Sequence, residues 1–196
     1  MNKHSYICQR LKKTKQEANL KKMKLVVGLG NPSAEYAGTR HNLGFEVIDK
    51  VISGTVASPE VSKKLEAIIY KLPDTILVKP QTFMNLSGRS VKATLEFYKI
   101  TPSEMLVVHD DVDLELGDIR HQFDRSSAGH KGVESIIGAL GTQEFHRLRL
   151  GVGRPASPNI DVEGFVLQKF TSGEKETAAR CILRAAEVVQ NWLKEA

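Results

Sequence analysis

Short apolar runs separated by longer amphipathic stretches fill the chain from residue 23 to its end. The runs predict β-strands at residues 25–27, 67–70, 75–78, 105–108, 117–123 and 148–153. Helical spacing predicts α-helices at residues 43–53 and 131–140, one that carries Val91 and Leu95, and a C-terminal one that carries Ala178, Ile182, Ala185, Val189 and Trp192. Because strands alternate with helices, we expect a single α/β domain over residues 23–196, with three layers and a central twisted mixed β-sheet flanked by helices.

Two of the predicted helices have recognisable capping residues. Ser87 or Asn85 is able to cap the helix that carries Val91. Residues 171–174 read Thr-Ser-Gly-Glu, a capping box in which two side chains bond each other's backbone amides. The C-terminal helix is therefore expected to begin at this box.

Positive charge is concentrated at the beginning of the chain. The formal net charge is +5, and much of the excess lies in residues 1–24. This segment has little apolar periodicity, so we expect residues 1–22 to be a disordered basic extension, with Met23 as the natural beginning. A basic arm that touches RNA and an organelle presequence are the alternatives, although serine is sparse and lysine outnumbers arginine.

The length of the apolar runs and the spacing of the cysteines indicate the cellular compartment in which we expect the protein. No apolar run approaches the ~20 residues that a membrane helix needs. Cys8 and Cys181 form no metal-binding or disulfide pattern. Without an apolar signal segment, free thiols in a reducing compartment are the simplest interpretation. We therefore expect a cytoplasmic protein with no membrane association.

Polar and titratable residues crowd the loop that follows the first predicted strand. Within residues 28–42 the chain delivers Asn31, Tyr36, Arg40, His41 and Asn42. Loops at the ends of buried strands are where open α/β sheets place their sites. This loop is therefore the first candidate for a functional site.

One interpretation of the loop is a dinucleotide site. Gly28, Gly30 and Ser33 nearly match the glycine-rich fingerprint, and Asp49 lies near the expected acidic position. That fingerprint needs a helix that opens at the glycines and holds the pyrophosphate. Pro32 interrupts the segment, and the predicted helix begins only at residue 43, so the match is weak.

A second interpretation rests on five stretches that resemble, in order, the motifs of bacterial-type peptidyl-tRNA hydrolases. They are residues 28–44, which include Gly-Leu-Gly-Asn-Pro and Thr-Arg-His-Asn-Leu-Gly, and residues 79–88, 107–114, 129–132 and 145–155. The resemblance implies hydrolysis of the ester bond between a peptide and its tRNA, which frees the tRNA for reuse in translation. It also implies a monomer with no cofactor, no obligate protein partner, and peptidyl-tRNA as its substrate.

The resemblance assigns three catalytic residues, His41, Asp110 and Asn31. Ester cleavage needs an activated water, a group that accepts its proton, and donors for the oxyanion. His41 matches the family's base, and Asp110 matches the carboxylate that fixes the tautomer and stabilises the imidazolium. Both follow predicted strands, so they are able to meet. Asn31 matches an amide that reads the peptide bond beside the ester, which a free aminoacyl-tRNA lacks.

The resemblance also assigns residues that bind the peptide, the ester or the tRNA: Tyr36, Phe83, Asn85, His130, Lys131, Arg120 and Arg149. Arg149 matches a phosphate-binding arginine, and Arg120 stands where the family commonly has lysine. Phosphate contacts add salt-dependent affinity without sequence information. The alternatives are a turn or cap role for Asn31 and Asn85, and a solvated charge for each arginine. For Met84 we expect core packing.

The chain departs from the family pattern around the fourth motif. Residues 125–128 read Arg-Ser-Ser-Ala where many members have a glycine-rich run. Lys131 replaces an asparagine, and Gln122 replaces a second basic residue. Lysine cannot accept a hydrogen bond, so a role in positioning water or ribose does not carry over unchanged. We expect Lys131 to add a phosphate contact instead.

A metal site is an alternative for the third motif. His109, Asp110, Asp111 and Asp113 are a dense set of potential ligands. Residues 109 and 110 would point to opposite faces of a strand, and no matching His/Asp cluster recurs elsewhere. We therefore predict no metal.

The last hypothesis is an RNA-binding module on the same fold that has lost catalysis. The departures at Lys131 and Gln122 would permit it. The presence of both His41 and Asp110 argues against it, because a pure binder needs neither a base nor its carboxylate.

Overall fold

A seven-stranded β-sheet forms the centre of the computed structural model, which describes residues 22–155, 157 and 159–195. Its strands are β1 (Lys24–Gly28), β2 (Glu60–Ser62), β3 (Ala67–Leu72), β4 (Thr75–Pro80), β5 (Met105–Asp111), β6 (Ile119–Phe123) and β7 (His146–Gly151). Their order across the sheet is β2-β3-β4-β1-β5-β7-β6. The strands β4, β1, β5 and β7 are parallel, whereas β3 and β6 pair antiparallel with their neighbours. The predicted mixed sheet is confirmed.

Helices cover both faces of the sheet. They are α1 (Leu43–Ile52), α2 (Ser87–Tyr98), α3 (Lys131–Leu140), α4 (Val162–Val166) and α5 (Lys175–Lys194). Successive residues of a strand point to opposite faces, so Val26 packs in the core under α1 and α5 while Leu25 and Val27 pack under α2 and α3. These two apolar cores confirm the three-layer arrangement.

The pairing of β1 with β5 determines where the candidate loop lies. Gly28 stands opposite Val108 in the parallel register, and the next N–H group, of Leu29, donates to the Val108 carbonyl at 2.9 Å. The loop after β1 therefore leaves the sheet beside the C-terminal end of β5. This is the edge at which open α/β sheets bind their ligands.

Close backbone packing explains the glycines of the first motif. A Cβ at Gly28 would lie 2.2 Å from the Gly44 carbonyl oxygen, and a Cβ at Gly44 would lie 2.4 Å from the Val108 oxygen. The helix α1 thus rests directly on β1 and β5. No helix opens at Gly30, and Asp49 lies on α1 in an ion pair with Lys79 at 2.7 Å. The dinucleotide interpretation is wrong, because these glycines serve helix–sheet packing.

Two short elements escaped prediction. The strand β2 is mostly exposed and has no apolar alternation, and its pairing with Ile68 and its neighbours in β3 defines it. The helix α4 has only five residues, too few for a periodic signal. The strand β6 begins at Ile119, later than predicted, since Gly117 has a positive φ of 96° and forms a turn.

The predicted caps of α2 are wrong. A 3₁₀ turn, Met84–Leu86, leads directly into the helix, and the residue at the N-cap position is Leu86, without a side-chain bond. Asn85 therefore lies inside the turn, and Ser87 is the first helical residue. Its N–H group donates to the Met84 carbonyl, so the turn itself satisfies this backbone donor.

Half of the predicted capping box at the C-terminal helix is present. The Glu174 carboxylate accepts from the Thr171 N–H group at 2.8 Å, and α5 begins one residue later, at Lys175. The same carboxylate also binds the guanidinium of Arg40. Glu174 therefore joins the helix start to the loop that carries the candidate site.

The expectations for Cys8 and for residues 1–22 concern a segment that, apart from Lys22, lies outside the described residues. Cys181 is buried in the core, where burial raises the pKa of its thiol to about 11. In the described ranges, no helix combines the length and the apolar composition that crossing a membrane requires.

Candidate active site

A cavity of about 670 Å³ opens where the loop after β1 meets the C-terminal end of β5. Most of the side chains selected from the sequence line it: Asn31, Tyr36, His41, Phe83, Asn85, Asp110, His130 and Lys131. Met84, for which core packing was expected, is buried and also contributes to the lining. The polar groups that the motifs supplied from distant parts of the chain thus converge on one concave site.

His41 and Asp110 meet as expected. The Nδ1 atom of His41 lies 2.9 Å from Oδ1 of Asp110. A carboxylate accepts hydrogen bonds and has no proton to donate, so Nδ1 carries the proton. The Nε2 atom of His41 then keeps its lone pair and has no partner among the described residues, which is the state that a general base requires.

His130 forms a second hydrogen bond to the same oxygen. Its Nε2 atom lies 3.0 Å from Oδ1 of Asp110, and its Nδ1 atom accepts the N–H groups of Gly132 and Val133 at the beginning of α3. Nδ1 is therefore the acceptor and Nε2–H is the donor, so both contacts fix the tautomer of His130. The sequence suggested substrate binding for this residue, and the structure adds a contact that holds Asp110 in place.

The charges of the group follow from its burial and its partners. Burial opposes ionisation of Asp110, but His41 and His130 hold the pKa of the carboxyl well below its usual range. Burial lowers the pKa of His41, and Asp110 outweighs that effect, with a further contribution from Glu163, so the net pKa is raised. The arrangement therefore stabilises the imidazolium that forms when His41 takes a proton.

Asn31 is held by its backbone and its side chain at once. Its N–H group donates to Oδ1 of Asn42 at 2.8 Å, and its carbonyl accepts from Nδ2 of Asn42 at 3.0 Å. Its own Oδ1 accepts the N–H group of Met84 at 2.8 Å. This last bond orients the amide so that the NH₂ group is the end left for a ligand, which makes Asn31 a hydrogen-bond donor in the cavity.

Arg40 anchors the turn that carries His41. Its guanidinium is buried and binds the carbonyls of Gln168 and Lys169 and both carboxylate oxygens of Glu174. Nη2 donates to both carboxylate oxygens and Nη1 donates to the two carbonyls, so these bonds hold the guanidinium in one orientation. The base is therefore tied to the beginning of the C-terminal helix, a contact across more than 130 residues that the motifs did not reveal.

His109 forms the wall behind His130. Its Nδ1–H group donates to the backbone oxygen of Asp110 at 2.7 Å, and its ring meets that of His130 edge to face, with 4.6 Å between centroids. Burial keeps its pKa well below the usual range. His109 is therefore a neutral residue that packs against His130. Its position beside Asp110 in the third motif was the sequence feature that indicated a place near the site.

The residues that could hold a metal ion differ from those that the sequence suggested. Among the described residues, the group able to hold an ion is His41, Asp110 and His130, whose ligand atoms lie within 4.8 Å of one another. His109 and Asp113, which the sequence suggested, do not belong to it. In this group Nδ1 of His41 and Nε2 of His130 both donate to Asp110. A metal ion would have to displace both protons.

Arg149, which the resemblance assigned to phosphate binding, is paired inside the protein. Its Nε atom lies 2.6 Å from Oδ2 of Asp111, and Nη1 lies 2.7 Å from Oε1 of Gln122. The residue is buried and does not line the cavity. Because its charge is paired with Asp111, its position does not support the expected role. Arg120, directly opposite on β6, is exposed but also lies outside the cavity lining.

Lys131 begins α3 at the rim of the cavity. Its side chain is 67% exposed, and Nζ lies 3.3 Å from Oε2 of Glu134 one turn further along. The helix N-terminus was expected to act as an anion site. The N–H groups of Gly132 and Val133 are already bonded to His130, so the ammonium group of Lys131 is the remaining positive feature.

One wall of the cavity received no substrate-binding assignment from the motifs. It consists of residues from the end of β5 and from α4 and its flanks: Val112, Asp113, Arg154, Asp161, Val162, Glu163, Val166 and Leu167. The two flanking charges pair with each other, with Nε of Arg154 3.1 Å from Oδ1 of Asp113. The apolar residues at 165–167 were a detectable signal, but five helical residues cannot be told from a strand by periodicity.

Comparison with known proteins gives a consistent result. The family model described as peptidyl-tRNA hydrolase matches residues 25–196. The peptidyl-tRNA hydrolase of Aquifex aeolicus is 46% identical over 177 residues, which cover 85% of this chain and 91% of that protein. The one from Thermus thermophilus is 46% identical over 173 residues, which cover 88% and 91%.

A solved structure supports the same assignment. The crystal structure of peptidyl-tRNA hydrolase from Acinetobacter baumannii superposes with a TM-score of 0.82 at 34% identity and covers 90% of this chain and 91% of that chain. The family match, the sequence relatives and the shared fold agree over the whole region that carries the cavity. The chain therefore belongs to the peptidyl-tRNA hydrolase family.

Proposed function

We propose that this protein hydrolyses the ester bond of peptidyl-tRNA and releases the peptide and a free tRNA. Family membership supports the reaction, and the geometry of His41 supports the mechanism. The observation that carries it is the hydrogen bond from His41 Nδ1 to Asp110, which leaves Nε2 unprotonated in a cavity that also holds Asn31. A base and its carboxylate activate the water that ester hydrolysis requires, and the amide of Asn31 supplies a donor to the substrate in the same site.

In the proposed reaction, Nε2 of His41 takes a proton from a water molecule as that water attacks the ester carbonyl. The imidazolium that forms is stabilised by Asp110, which His130 holds from its other side. As the tetrahedral intermediate collapses, the ribose oxygen leaves and takes the proton from His41. Atoms and charges balance without a cofactor.

Asn31 supplies the selection for a blocked amino group. Because Oδ1 of Asn31 is bonded to the Met84 N–H group, its NH₂ group faces the substrate as a donor. The carbonyl of the peptide bond next to the ester is a matching acceptor. A free aminoacyl-tRNA offers an ammonium group there, which would leave the donor unpaired and place a positive charge beside it.

The proposed site needs no second copy of the chain. His41, Asp110 and Asn31 come together within one chain, and we propose that the protein acts as a monomer. The exposed cations Lys131 and Arg120 are the proposed contacts to tRNA phosphates. We propose a cytoplasmic location because peptidyl-tRNA arises there during translation.

Hydrolysis of matched substrates tests the reaction. We expect the protein to cleave an N-acetylated aminoacyl-tRNA about 10- to 100-fold more efficiently than the same tRNA with a free amino group, since an unpaired buried donor costs about 1–3 kcal/mol. A chelator should leave the rate unchanged, since the proposed chemistry uses His41 and water. The measurement is kcat/KM for both substrates, with and without the chelator.

Three results of this experiment would contradict the proposal. Equal rates for the blocked and the free substrate would remove the role of Asn31. Loss of activity with the chelator would point to an ion at His41, Asp110 and His130. Tight tRNA binding without turnover would favour the RNA-binding module.

Replacing Lys131 by asparagine tests the proposed phosphate contact. We expect weaker tRNA binding and a salt dependence reduced by about one phosphate contact, with kcat little changed. The reason is that the ammonium group lies at the rim of the cavity, and its ion pair with Glu134 is exposed to solvent. The measurement is KM and kcat at several salt concentrations.

Lys175→Asn is the matched control for this variant, since Lys175 is also the exposed first residue of a helix and does not line the cavity. A higher kcat in Lys131→Asn, with an unchanged salt slope, would show instead that the lysine blocks a water-positioning role of asparagine. Identical behaviour of Lys131→Asn and the parent at every salt concentration would make Lys131 a solvated surface charge.

A further inference from the structure

The wall of the cavity formed by α4 combines apolar side chains with one carboxylate. Val162, Val166 and Leu167 provide the apolar surface, and Phe83 faces the same space from the loop after β4. Phe83 is 57% exposed and Leu167 is 37% exposed, so this surface is open to a ligand. Glu163 lies among these residues and lines the cavity together with His41.

Among the described residues, no group binds the carboxylate of Glu163, unlike those of Asp110, Asp113 and Asp161, which also line the cavity. Asp110 binds two histidines, Asp113 pairs with Arg154, and Asp161 accepts the N–H group of Gly164. Within residues 22–155, 157 and 159–195, the Glu163 carboxylate has neither a hydrogen-bond nor an ion-pair partner. The chain thus leaves one negative charge open in the space where the substrate binds.

Glu163 and His41 line the same cavity. The charge of Glu163 contributes to the raised pKa of His41, so the two groups interact across the cavity. The cations at the rim do not neutralise it, because Lys131 pairs with Glu134 and Arg154 pairs with Asp113. A substrate side chain that enters this part of the cavity would meet the carboxylate of Glu163.

An open carboxylate beside apolar surface fits a long aliphatic side chain with a positive end. Lysine and arginine bury their methylene stems against apolar groups and keep the charged end near a polar partner. A carboxylate on the substrate would be repelled by Glu163. We propose that Glu163 is a specificity-determining residue that makes the enzyme favour peptidyl-tRNAs in which the esterified amino acid is lysine or arginine.

This inference rests on the proposed function, and one tRNA body loaded with two amino acids tests it. The substrates are Nα-acetyl-lysyl-tRNA and Nα,Nε-diacetyl-lysyl-tRNA, which share the tRNA and the stem of the side chain but differ in its charge. We expect the parent protein to show a kcat/KM about two- to fivefold higher for the charged substrate, the scale of an exposed ion pair. The preference should shrink as salt is raised.

Glu163→Gln should abolish the preference while it retains hydrolysis of the diacetylated substrate. Glu187→Gln is the control, since Glu187 is an exposed carboxylate on α5 that does not line the cavity. It should keep the parental preference.

The outcomes separate the inference from the function on which it rests. Equal kcat/KM for the two substrates in the parent, with both hydrolysed, would overturn the inference alone. A preference that persists in Glu163→Gln would also overturn it and assign the effect to another carboxylate. Failure of the parent to hydrolyse either substrate would overturn the proposed function and the inference together.

Discussion

His41→Ala is expected to lower kcat by at least ~100-fold, the scale on which loss of a general base acts. Among the described histidines that line the cavity, only His41 has a ring nitrogen, Nε2, without a hydrogen-bond partner in the protein. His130 uses both of its ring nitrogens in hydrogen bonds, so it is unable to replace the missing base without losing its contacts. Binding of the tRNA should be largely retained, because the imidazole makes no proposed phosphate contact.

The measurement is single-turnover hydrolysis of an N-acetylated aminoacyl-tRNA, together with the Kd for deacylated tRNA. His121→Ala is the matched control, since His121 is exposed on β6, next to His146, and does not line the cavity. It should hydrolyse the substrate at nearly the parental rate. Near-parental activity in His41→Ala would remove the proposed mechanism, whereas equal losses in rate and in tRNA affinity would indicate a binding role.

Asp110→Asn is expected to lower the maximal rate by about 100-fold or more and to move the acid limb of the pH–rate profile to lower pH. The rate falls because the imidazolium loses the buried negative charge that stabilises it. The direction of the pH shift follows from the groups that act on His41. Burial is the largest influence and lowers the pKa, and Asp110 is the main group that raises it. Without the carboxylate the pKa falls, so His41 becomes neutral at lower pH.

The profile is best measured as kcat/KM from about pH 5 to about pH 8, the range in which histidine titrates. Asp118→Asn is the control, because Asp118 is an exposed carboxylate at the turn before β6 and does not line the cavity. It should leave the profile unchanged. A parental profile in Asp110→Asn would mean that the contact between His41 and Asp110 has no part in catalysis.

The parts of the fold that the sequence predicted share a local physical cause. The strands β1, β4 and β5 are continuous apolar runs because they are buried on both faces, and α1 and α3 have apolar residues at helical spacing. The strand β2 and the helix α4 lack such a pattern, since their length and exposure leave few buried positions. Pairing with β3 defines β2, and such pairing involves residues distant in the sequence.

The candidate site also contains residues that the motifs selected and contacts that only the tertiary structure shows. The motifs selected His41, Asp110 and Asn31 by residue type and neighbourhood, and the structure brings all three to one cavity. The internal pairing of Arg149 has a structural cause. The pairing of β7 with β5 and β6 places its guanidinium against Asp111 and Gln122, which satisfy it inside the protein. A motif match names the residue but does not reveal which neighbour neutralises its charge.

The sequence by itself determined the α/β class, the loop after β1 as a site, and the family that the chain resembles, because apolar periodicity and motif spacing are local properties. The tertiary structure alone decided the tautomer of His130, the single donor group of Asn31, the buried pairing of Arg149 and the open carboxylate of Glu163. Each of these depends on contacts between residues distant in the chain or across a cavity. Such contacts follow from the strand order and the register of the sheet, which no local pattern encodes.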